Sequence, residues 1–419
     1  MSMIDVTWVR AQFPALRQEI RGQPAVFLDG AGGTQVPQRV IDAMVQYLTT
    51  SNANAGGAFP TSERTDEAIA AARAAMADML GCDSDEVVFG PNMTSLTFAV
   101  SRAIGRELQP GDEIVLTRLD HDANYSPWKA LEERGVVLRS VDVHAEDCTL
   151  DMDDLRRKIT QRTRLVAAAY ASNAAGTITD AAEIVRLAHR VGALAYIDAV
   201  HYAPHGPIDV RALDCDFLVC SSYKFYGPHV GVLYGKREHL ARLRPYKVRP
   251  ASDEAPDCWE TGTQNHEGLA GLAAAVDYLA DLGGRVRGSA GPPADRRHAV
   301  LAAMAAVRDY ESKLARRMID GLRSFRGLTF YGIRDPERSG SRTPTMGVTI
   351  AEHRPRELSH ALGERGIFTW DGNYYALNLT ERLGVEDEGG MLRIGLVHYN
   401  TAEEVDRVLA ALREIVGQG

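Results

Sequence analysis

The stretch Asp-Phe-Leu-Val-Cys-Ser-Ser-Tyr-Lys-Phe-Tyr-Gly-Pro-His-Val-Gly-Val-Leu-Tyr at residues 216–234 carries the pattern that decides the fold. Residues 217–220 form a short apolar run, which predicts a buried strand followed by polar groups at its carboxyl end. Gly227 and Pro228 turn the chain before a second apolar run begins. Lys224 stands between the strand and an aromatic turn, so we expect its amine to be partly desolvated. Desolvation lowers the pKa of an amine and makes it available as a nucleophile.

Strands and helices alternate on both sides of this stretch. This alternation predicts an α/β fold with a mainly parallel, doubly wound sheet, in which ligands bind at the carboxyl ends of the strands. The predicted strands are residues 112–117, 136–143, 164–171, 193–198 and 217–220.

A glycine- and proline-rich connector at residues 283–297 predicts a boundary between two domains, and a long helix at residues 299–325 is expected after it. We therefore expect a large domain at residues 25–285 and a smaller α+β domain at residues 286–419. Residues 1–24 are expected to pack with the smaller domain.

Composition excludes several classes of protein. The 419 residues carry a formal net charge of -9 without a basic cluster, which argues against a nucleic-acid binder. No apolar run has membrane-spanning length and the N-terminal residues do not resemble a signal peptide, so a cytoplasmic protein without a membrane partner is expected. The five cysteines have no zinc spacing and suggest no disulfide framework, so no metal site is predicted.

Polar residues recur at the predicted strand ends, where Lys224 also stands. Asp198 closes one strand, Asp120-His121 and Asn173 follow two others, and Thr94 opens a helix whose free amides could hold an anion. Each has a simpler interpretation, such as a strand cap or an ordinary helix cap. Together they match what pyridoxal phosphate requires: a lysine for its aldehyde, a carboxylate for its ring nitrogen and donors for its phosphate.

The chain resembles the class V aminotransferase family of fold type I pyridoxal phosphate enzymes, in its cysteine desulfurase-like branch. The motifs that carry the resemblance are Phe-Leu-Asp-Gly-Ala-Gly-Gly at 27–33, Asp-His-Asp-Ala-Asn at 120–124, Ser-Asn-Ala-Ala-Gly-Thr at 172–177, Ile-Asp-Ala-Val-His at 197–201, Ser-Ser-Tyr-Lys at 221–224, Glu-Thr-Gly-Thr at 260–263 and Arg-Ile-Gly-Leu-Val-His-Tyr-Asn at 393–400. They span nearly the whole chain in one order.

The resemblance implies a role for each matched position. Lys224 would form the Schiff base, Asp198 would bind the ring nitrogen, and His121 would stack on the ring. The further residues expected to contact the cofactor are His201, Thr94, Ser95, Met93, Asn173, Ser221, Tyr223 and Thr263. The residues expected to contact the substrate are Arg393, Asn173 and Ala31. Thr263 would reach the phosphate of a neighbouring subunit, which implies a homodimer with shared active sites.

The departures from the family concern the reaction. Desulfurases carry a nucleophilic cysteine on a loop that corresponds to residues 366–377, but the last cysteine here is Cys258. Tyr223 replaces the histidine that precedes the lysine in the family. Phe59, Trp370, Tyr374 and Tyr375 suggest a substrate pocket with aromatic walls, to which His229 and His398 could also contribute.

We therefore expect a pyridoxal phosphate enzyme for an amino-acid substrate that performs C–S lysis or another β-elimination without a persulfide. Two other reactions stay open: transamination, and racemisation or epimerisation with Tyr374 or Tyr375 as a second acid. A pyridoxal-binding protein without turnover is the remaining alternative.

Overall fold

The structure is a computed structural model that describes residues 4–288 and 295–418. The helices are α1 (Val6–Gln12), α2 (Gln38–Thr50), α3 (Pro60–Leu80), α4 (Met93–Gly105), α5 (Ser126–Lys129), α6 (Met152–Lys158), α7 (Ala181–His189), α8 (Val210–Leu213), α9 (Arg237–Arg242), α10 (His266–Val286), α11 (Arg296–Leu322), α12 (Pro355–Gly363), α13 (Leu377–Arg382) and α14 (Ala402–Ile415). The strands are β1 (Glu19–Ile20), β2 (Gln23–Pro24), β3 (Val26–Phe27), β4 (Val87–Gly90), β5 (Glu113–Thr117), β6 (Val137–Val141), β7 (Val143–His144), β8 (Thr149–Leu150), β9 (Thr163–Ala169), β10 (Leu194–Asp198), β11 (Phe217–Ser221), β12 (Gly231–Gly235), β13 (Leu328–Tyr331), β14 (Thr345–Ile350), β15 (Ile367–Phe368), β16 (Trp370–Gly372) and β17 (Met391–Gly395).

Seven strands form the main sheet in the order β4-β12-β11-β10-β9-β5-β6. All pairs among β11, β10, β9, β5 and β6 are parallel, and only β12 runs against its neighbours β11 and β4. The predicted α/β fold with a mainly parallel sheet is confirmed. The carboxyl ends of β9, β10 and β11 consequently lie side by side at one edge.

Both faces of this sheet are covered. In β11, Leu218 and Cys220 belong to one buried apolar cluster, whereas Phe217 and Val219 belong to the cluster on the other face. Successive side chains of a strand point to opposite faces, so an uninterrupted apolar run is what a doubly covered strand requires. Each such side chain contributes roughly 1.5–3 kcal/mol when it is fully buried.

A second, antiparallel sheet has the order β13-β14-β17-β16. Its apolar face packs with residues of α11, α12 and α14 in a separate buried cluster. The parallel pair β15–β3 joins this part of the chain to the N-terminal segment. The side chain of Arg10 in α1 also donates to the carbonyl of Tyr399 (2.7 Å) and pairs with Glu404 (2.8 Å).

The helix α11 links the two cores. Its N-terminal half, which includes Val300 and Val307, packs with the main sheet, whereas Leu314 and Met318 pack with the second sheet. The connector predicted at residues 283–297 is shorter than expected, because α10 continues to Val286 and α11 begins at Arg296. Residues 289–294 of that connector lie outside the described residues. Among the described helices, none is long and apolar enough to span a membrane.

Candidate active site

A cavity of about 540 Å³ lies at the carboxyl ends of β9, β10 and β11. Ala169, Asp198 and Ser221 close these three strands and line the cavity, and Arg393 enters it from β17. Residues 370–375 cover the cavity from the side of the second sheet. The fold therefore forms its cavity at the edge where parallel sheets bind ligands.

Lys224 lies in the 3₁₀ turn Ser222–Lys224 directly after β11. Its buried amine donates to the carbonyl oxygens of Ala31 (2.6 Å) and Gly32 (3.0 Å). Burial and then the positive charge of Arg393 lower the pKa of this amine to about 7, against a smaller opposing effect of Asp198. Near neutral pH a large share of the amine is therefore uncharged and able to attack an aldehyde.

Asp198 is the buried last residue of β10, and its Oδ1 accepts a hydrogen bond from the amide of Val200 (2.9 Å). Burial raises the pKa of this carboxyl group to about 6, while the Val200 amide and the charge of Lys224 oppose the rise. A buried carboxylate with one unshared oxygen is suited to hold a protonated ring nitrogen.

Asp120 is a buried carboxyl group near Asp198, which the sequence places at a strand end beside His121 without a role of its own. It accepts hydrogen bonds from the amide and hydroxyl of Thr117 and from the side chain of Asn124. Burial raises its pKa to about 8, and the charge of Asp198 adds to the rise. Its place beside His121 at a strand end was the only signal in the sequence. Protonation of Asp120 near neutral pH reduces its repulsion of Asp198.

His121 is a neutral donor in the cavity wall. Its Nδ1 accepts a hydrogen bond from the amide of Ala123 (3.0 Å), so the proton of the neutral ring lies on Nε2. Burial, with smaller effects from Lys224 and Arg393, lowers the pKa of this imidazole to about 4. The ring of Tyr375 stacks on it, with 5.4 Å between centroids and 24° between planes.

Arg393 and Asn173 form the polar end of the cavity. The Nη1 of Arg393 donates to the carbonyl of Asn173 (3.0 Å), and its Cζ lies 4.1 Å from the centroid of the Tyr374 ring. Burial lowers the pKa of this guanidinium to about 10, so it stays charged at neutral pH. Arg393 Nε and Asn173 Oδ1 are both buried and have no hydrogen-bond partner among the described residues.

Tyr374 and Tyr375 adopt left-handed backbone angles, with φ of 55° and 59°. Such a conformation costs about 1–3 kcal/mol for each residue other than glycine, so other contacts have to hold it. The carbonyl of Tyr374 accepts from Asn173 Nδ2 (2.9 Å), and that of Tyr375 accepts from the amide of Asp122 (2.7 Å). The hydroxyl of Tyr374 donates to the carbonyl of Met391.

The N-terminus of α4 reaches the cavity through Met93 and Thr94. The amide of Met93 donates to the hydroxyl of Ser221 (3.2 Å), which brings a second donor to the same place. The Asn92 side chain caps the helix by accepting from the amide of Ser95 (2.9 Å). A helix N-terminus with a hydroxyl beside it favours an anion such as a phosphate.

His201 and Tyr223 complete the cavity wall. His201 is buried, and its Nε2 forms a hydrogen bond with the hydroxyl of Thr343 (3.1 Å). Burial lowers the pKa of His201, so the ring is neutral. The ring of Tyr223 stacks on His229 (4.9 Å between centroids) and lies 5.0 Å from the amine of Lys224.

Some residues that the sequence singled out lie outside this cavity. Ser95, Thr263 and His229 line a separate cavity of about 300 Å³, and Ala31 contributes only its carbonyl to Lys224. His398 is buried between the hydroxyls of Tyr278 and Tyr226. Phe59 is 51% exposed and does not line either cavity.

The cysteines do not contribute to the cavity either. All five lie within the described residues, all are unpaired, and none lines the cavity. Within residues 4–288 and 295–418, no group of three or more His, Cys, Asp or Glu residues could hold a metal ion.

The residues present fit pyridoxal phosphate. Lys224 offers a partly uncharged amine, Asp198 a buried carboxylate, and the α4 N-terminus a place for a phosphate. The unpartnered buried atoms of Asn173 and Arg393 indicate that a polar ligand completes the site.

Comparison with known proteins gives one consistent result. The family model for aminotransferase class-V matches residues 26–287 and 298–408. The chain is 33% identical to the cysteine desulfurases of Pectobacterium carotovorum and Pectobacterium atrosepticum over 424 aligned positions, which cover 97% of this chain and 97% of each relative.

Solved structures agree with the sequence relatives. The apo structure of the cysteine desulfurase from Thermococcus onnurineus superposes with a TM-score of 0.87 at 25% identity, over 100% of this chain and 99% of that chain. A cysteine desulfurase from Escherichia coli superposes with a TM-score of 0.84 at 29% identity, over 99% of each chain.

Proposed function

Because the chain belongs to the pyridoxal phosphate-dependent aminotransferase class-V family and is similar to cysteine desulfurases, we propose that it is a carbon–sulfur lyase acting on an amino acid. The observation that carries this proposal is the combination of an intact lysine site with a loop that has no cysteine. Lys224 is buried and poised as a nucleophile, whereas residues 366–377 contain no thiol. A lyase releases sulfur directly and needs no cysteine to accept it.

Four residues would hold the cofactor. Lys224 would bind its aldehyde carbon, Asp198 its ring nitrogen, and Thr94 with Ser221 its phosphate. When bound, pyridoxal phosphate supplies an electron-withdrawing ring that stabilises negative charge at the α carbon of the amino acid. His121 would cover one face of that ring, because its flat, neutral side chain lines the same cavity as Lys224.

Three residues would act on the substrate. Arg393 would bind the α-carboxylate through Nε and its remaining donors, which gives a charge-assisted pair in a buried site. Asn173 Oδ1 would accept a hydrogen bond from the substrate. Lys224 would carry the proton from the α carbon, since its pKa of about 7 lets it accept and return a proton at neutral pH.

Racemisation, one of the open alternatives, receives less support from the geometry. Racemisation needs an acid on the face of the substrate opposite Lys224, but the Tyr374 hydroxyl already donates to Met391. Burial also raises the pKa of Tyr374, which makes it a weak acid at neutral pH. Tyr375 is 71% exposed and its ring stacks on His121, so it remains the only tyrosine of the pair that could serve as an acid.

We also propose a homodimer with shared active sites. Ile41, Val45 and Leu48 lie on one face of α2 and are 37%, 54% and 50% exposed, which is unusual for apolar residues that share a face. Thr263 lies in the separate cavity rather than at the site, so a phosphate contact would have to be made to a second subunit. Closed two-fold pairs are the commonest assemblies.

The division into a large domain at residues 25–285 and a smaller one at residues 286–419 remains our proposal, supported by the two sheets with their separate cores. A cytoplasmic location is also a proposal. It is supported by the five unpaired cysteines, which suit a reducing compartment.

The test is to incubate the pyridoxal phosphate-loaded protein with L-cysteine and identify the products. We expect pyruvate, ammonium and sulfide in equal amounts. Alanine together with a protein-bound persulfide would refute the lyase, and D-cysteine or transfer of the amino group would favour the alternatives. Lys224→Ala should lose both the visible absorbance of covalently held cofactor and the reaction, while Lys129→Ala, an exposed lysine outside the cavity, should keep both.

A further inference from the structure

We infer that Thr343 is a positioning residue that fixes the proton of His201 on Nε2, so that Nδ1 of His201 accepts a hydrogen bond from the ring hydroxyl of bound pyridoxal phosphate. This inference rests on the proposed placement of the cofactor by Lys224 and Asp198, and not on the reaction that follows. The atoms that carry it are buried inside one chain, so a second subunit at the mouth of the cavity would leave them unchanged.

Thr343 connects the second sheet with the cavity wall. It lies two residues before β14 begins, and His201 lies in the turn that follows β10 and lines the cavity. Both residues are buried, and the hydroxyl oxygen of Thr343 lies 3.1 Å from His201 Nε2. No other described residue forms a hydrogen bond with this imidazole, so Thr343 alone determines which ring nitrogen is engaged.

The direction of this hydrogen bond follows from a second neighbour of the Thr343 hydroxyl. The hydroxyl also donates to the carbonyl oxygen of Gly176, which lies 3.2 Å away. A hydroxyl has only one proton to donate. If that proton pointed to His201 instead, the two oxygens would face each other without a proton between them. His201 Nε2 is therefore the donor to the Thr343 oxygen, and it carries the proton of the ring.

The backbone holds Gly176 and Thr343 in this arrangement. Gly176 has a φ of 78°, and a β-carbon built on it would lie 3.1 Å from the Thr343 hydroxyl oxygen. The amide of Thr343 donates to the same Gly176 carbonyl (2.8 Å). A carbonyl oxygen has two lone pairs and accepts from both donors. The backbone contact thus places the hydroxyl beside the carbonyl that takes its proton.

The second nitrogen of His201 is left for a ligand. Burial lowers the pKa of His201, so the ring is neutral and carries a single proton. With that proton on Nε2, Nδ1 is an acceptor. The ring of His205 lies 5.2 Å away between centroids, but His205 bonds Glu311 through its own Nδ1 (2.8 Å) and its Nε2 has no partner among the described residues. His205 therefore does not compete for Nδ1 of His201.

Pyridoxal phosphate has one donor that suits this acceptor. Asp198 would take its ring nitrogen, Lys224 its aldehyde, and the phosphate is an anion that needs donors rather than acceptors. The ring hydroxyl remains. His201 follows Asp198 by only three residues, so the two side chains leave the same strand end toward the same cavity.

An acceptor at this place changes the distribution of one proton. In the Schiff base with Lys224, the proton is shared between the ring hydroxyl oxygen and the Schiff-base nitrogen, and the form with the proton on oxygen absorbs at the shorter wavelength. A hydrogen bond from the hydroxyl to His201 Nδ1 stabilises that form. One hydrogen bond of ordinary strength changes the ratio of the two forms by about fivefold.

The tautomer is measured by NMR on the cofactor-free full chain labelled with ¹⁵N-histidine. The His201 signals are identified, among those of the 12 histidines, by their loss in His201→Gln. We expect a protonated Nε2 and an unprotonated Nδ1 in the wild type and in Thr343→Ser, which keeps the hydroxyl. Thr343→Val removes the acceptor, so both tautomers should appear. Thr345→Val is the matched control, because the buried hydroxyl of Thr345 has no partner among the described residues.

The acceptor role is measured by absorbance of the cofactor-loaded full chain at neutral pH. The band of shorter wavelength should dominate in the wild type. Thr343→Val should lower the ratio of the short-wavelength band to the long-wavelength band by about fivefold. His201→Gln, whose amide can donate to the ring oxygen, should lower it at least as much. Thr343→Ser and Thr345→Val should keep the ratio of the wild type.

The outcomes separate this inference from the proposed function. A wild-type His201 with its proton on Nδ1, or an absorbance ratio that Thr343→Val leaves unchanged, would overturn the inference. Neither measurement requires turnover, so both decide it even if the products formed from L-cysteine refute the lyase. A chain that takes up no pyridoxal phosphate would refute the placement of the cofactor and this inference together.

Discussion

The pKa of Lys224 predicts how fast the cofactor attaches at different pH values. Only the uncharged amine attacks an aldehyde. With a pKa of about 7, the uncharged fraction is about 9% at pH 6, one half at pH 7 and about 90% at pH 8. The attachment rate should therefore rise about tenfold between pH 6 and pH 8 and then level off. An ordinary lysine would gain about tenfold for every pH unit up to pH 9 and beyond.

The assay is stopped-flow absorbance of the cofactor-free protein mixed with pyridoxal phosphate. Each rate is divided by the rate of N-acetyl-lysine amide per uncharged amine at the same pH, which removes the ionisation of the cofactor and leaves that of Lys224. Two variants should shift the midpoint of the pH profile of the attachment rate in opposite directions. Arg393→Gln removes a charge that repels the ammonium form of Lys224 and should move the midpoint to higher pH, whereas Asp198→Asn removes an attracting charge and should move the midpoint to lower pH. A rate that continues to rise tenfold per unit above pH 8 would refute the argument from burial.

Two further predictions concern Tyr374 and the cysteines. Tyr374→Leu removes the ring 4.1 Å from Arg393, and losing about 2 kcal/mol of buried cation–π interaction should raise KM roughly thirtyfold with little change in kcat. Tyr374→Phe keeps the ring and should keep KM, but its free energy of unfolding should fall by about 1 kcal/mol because the Met391 carbonyl loses its donor. Equal KM values for the two variants would contradict this prediction. Each of the five Cys→Ala single variants should retain kcat for pyruvate release, and a variant that loses turnover while it keeps its cofactor would identify a sulfur carrier.

The main sheet was predictable because its strands are covered on both faces. Such strands need continuous apolar runs, and polar residues at their ends then mark the edge where a ligand binds. Lys224 and Asp198 follow such runs directly, and the structure brings both into one cavity. The resemblance added Arg393, which stands far away in the sequence and which no local pattern could have placed beside Asn173.

Other features depend on contacts that a sequence does not display. Whether a glycine-rich segment continues a helix is decided by packing, and the tight contact of Gly283 with the backbone of Ala299 keeps α10 helical through the segment predicted as a connector. The sequence places Asp120 at a strand end, but only the structure shows that it is buried beside Asp198. Tyr374 seemed equally suited to be an acid or an aromatic wall until its hydroxyl was found bonded to Met391.

The arrangement of charges explains why the site favours anionic ligands. Lys224 and Arg393 are both buried, each is deprived of water, and neither forms a salt bridge with another described residue. Arg393 is held instead by the Tyr374 ring and the Asn173 carbonyl, which stabilise a cation without neutralising it. The carboxyl groups of Asp198 and Asp29 attract these cations through space but accept no hydrogen bond from them among the described residues. A carboxylate would give the unpartnered Nε of Arg393 a charge-assisted hydrogen bond, and a phosphate would add such bonds at the start of α4, so both contacts would contribute binding energy.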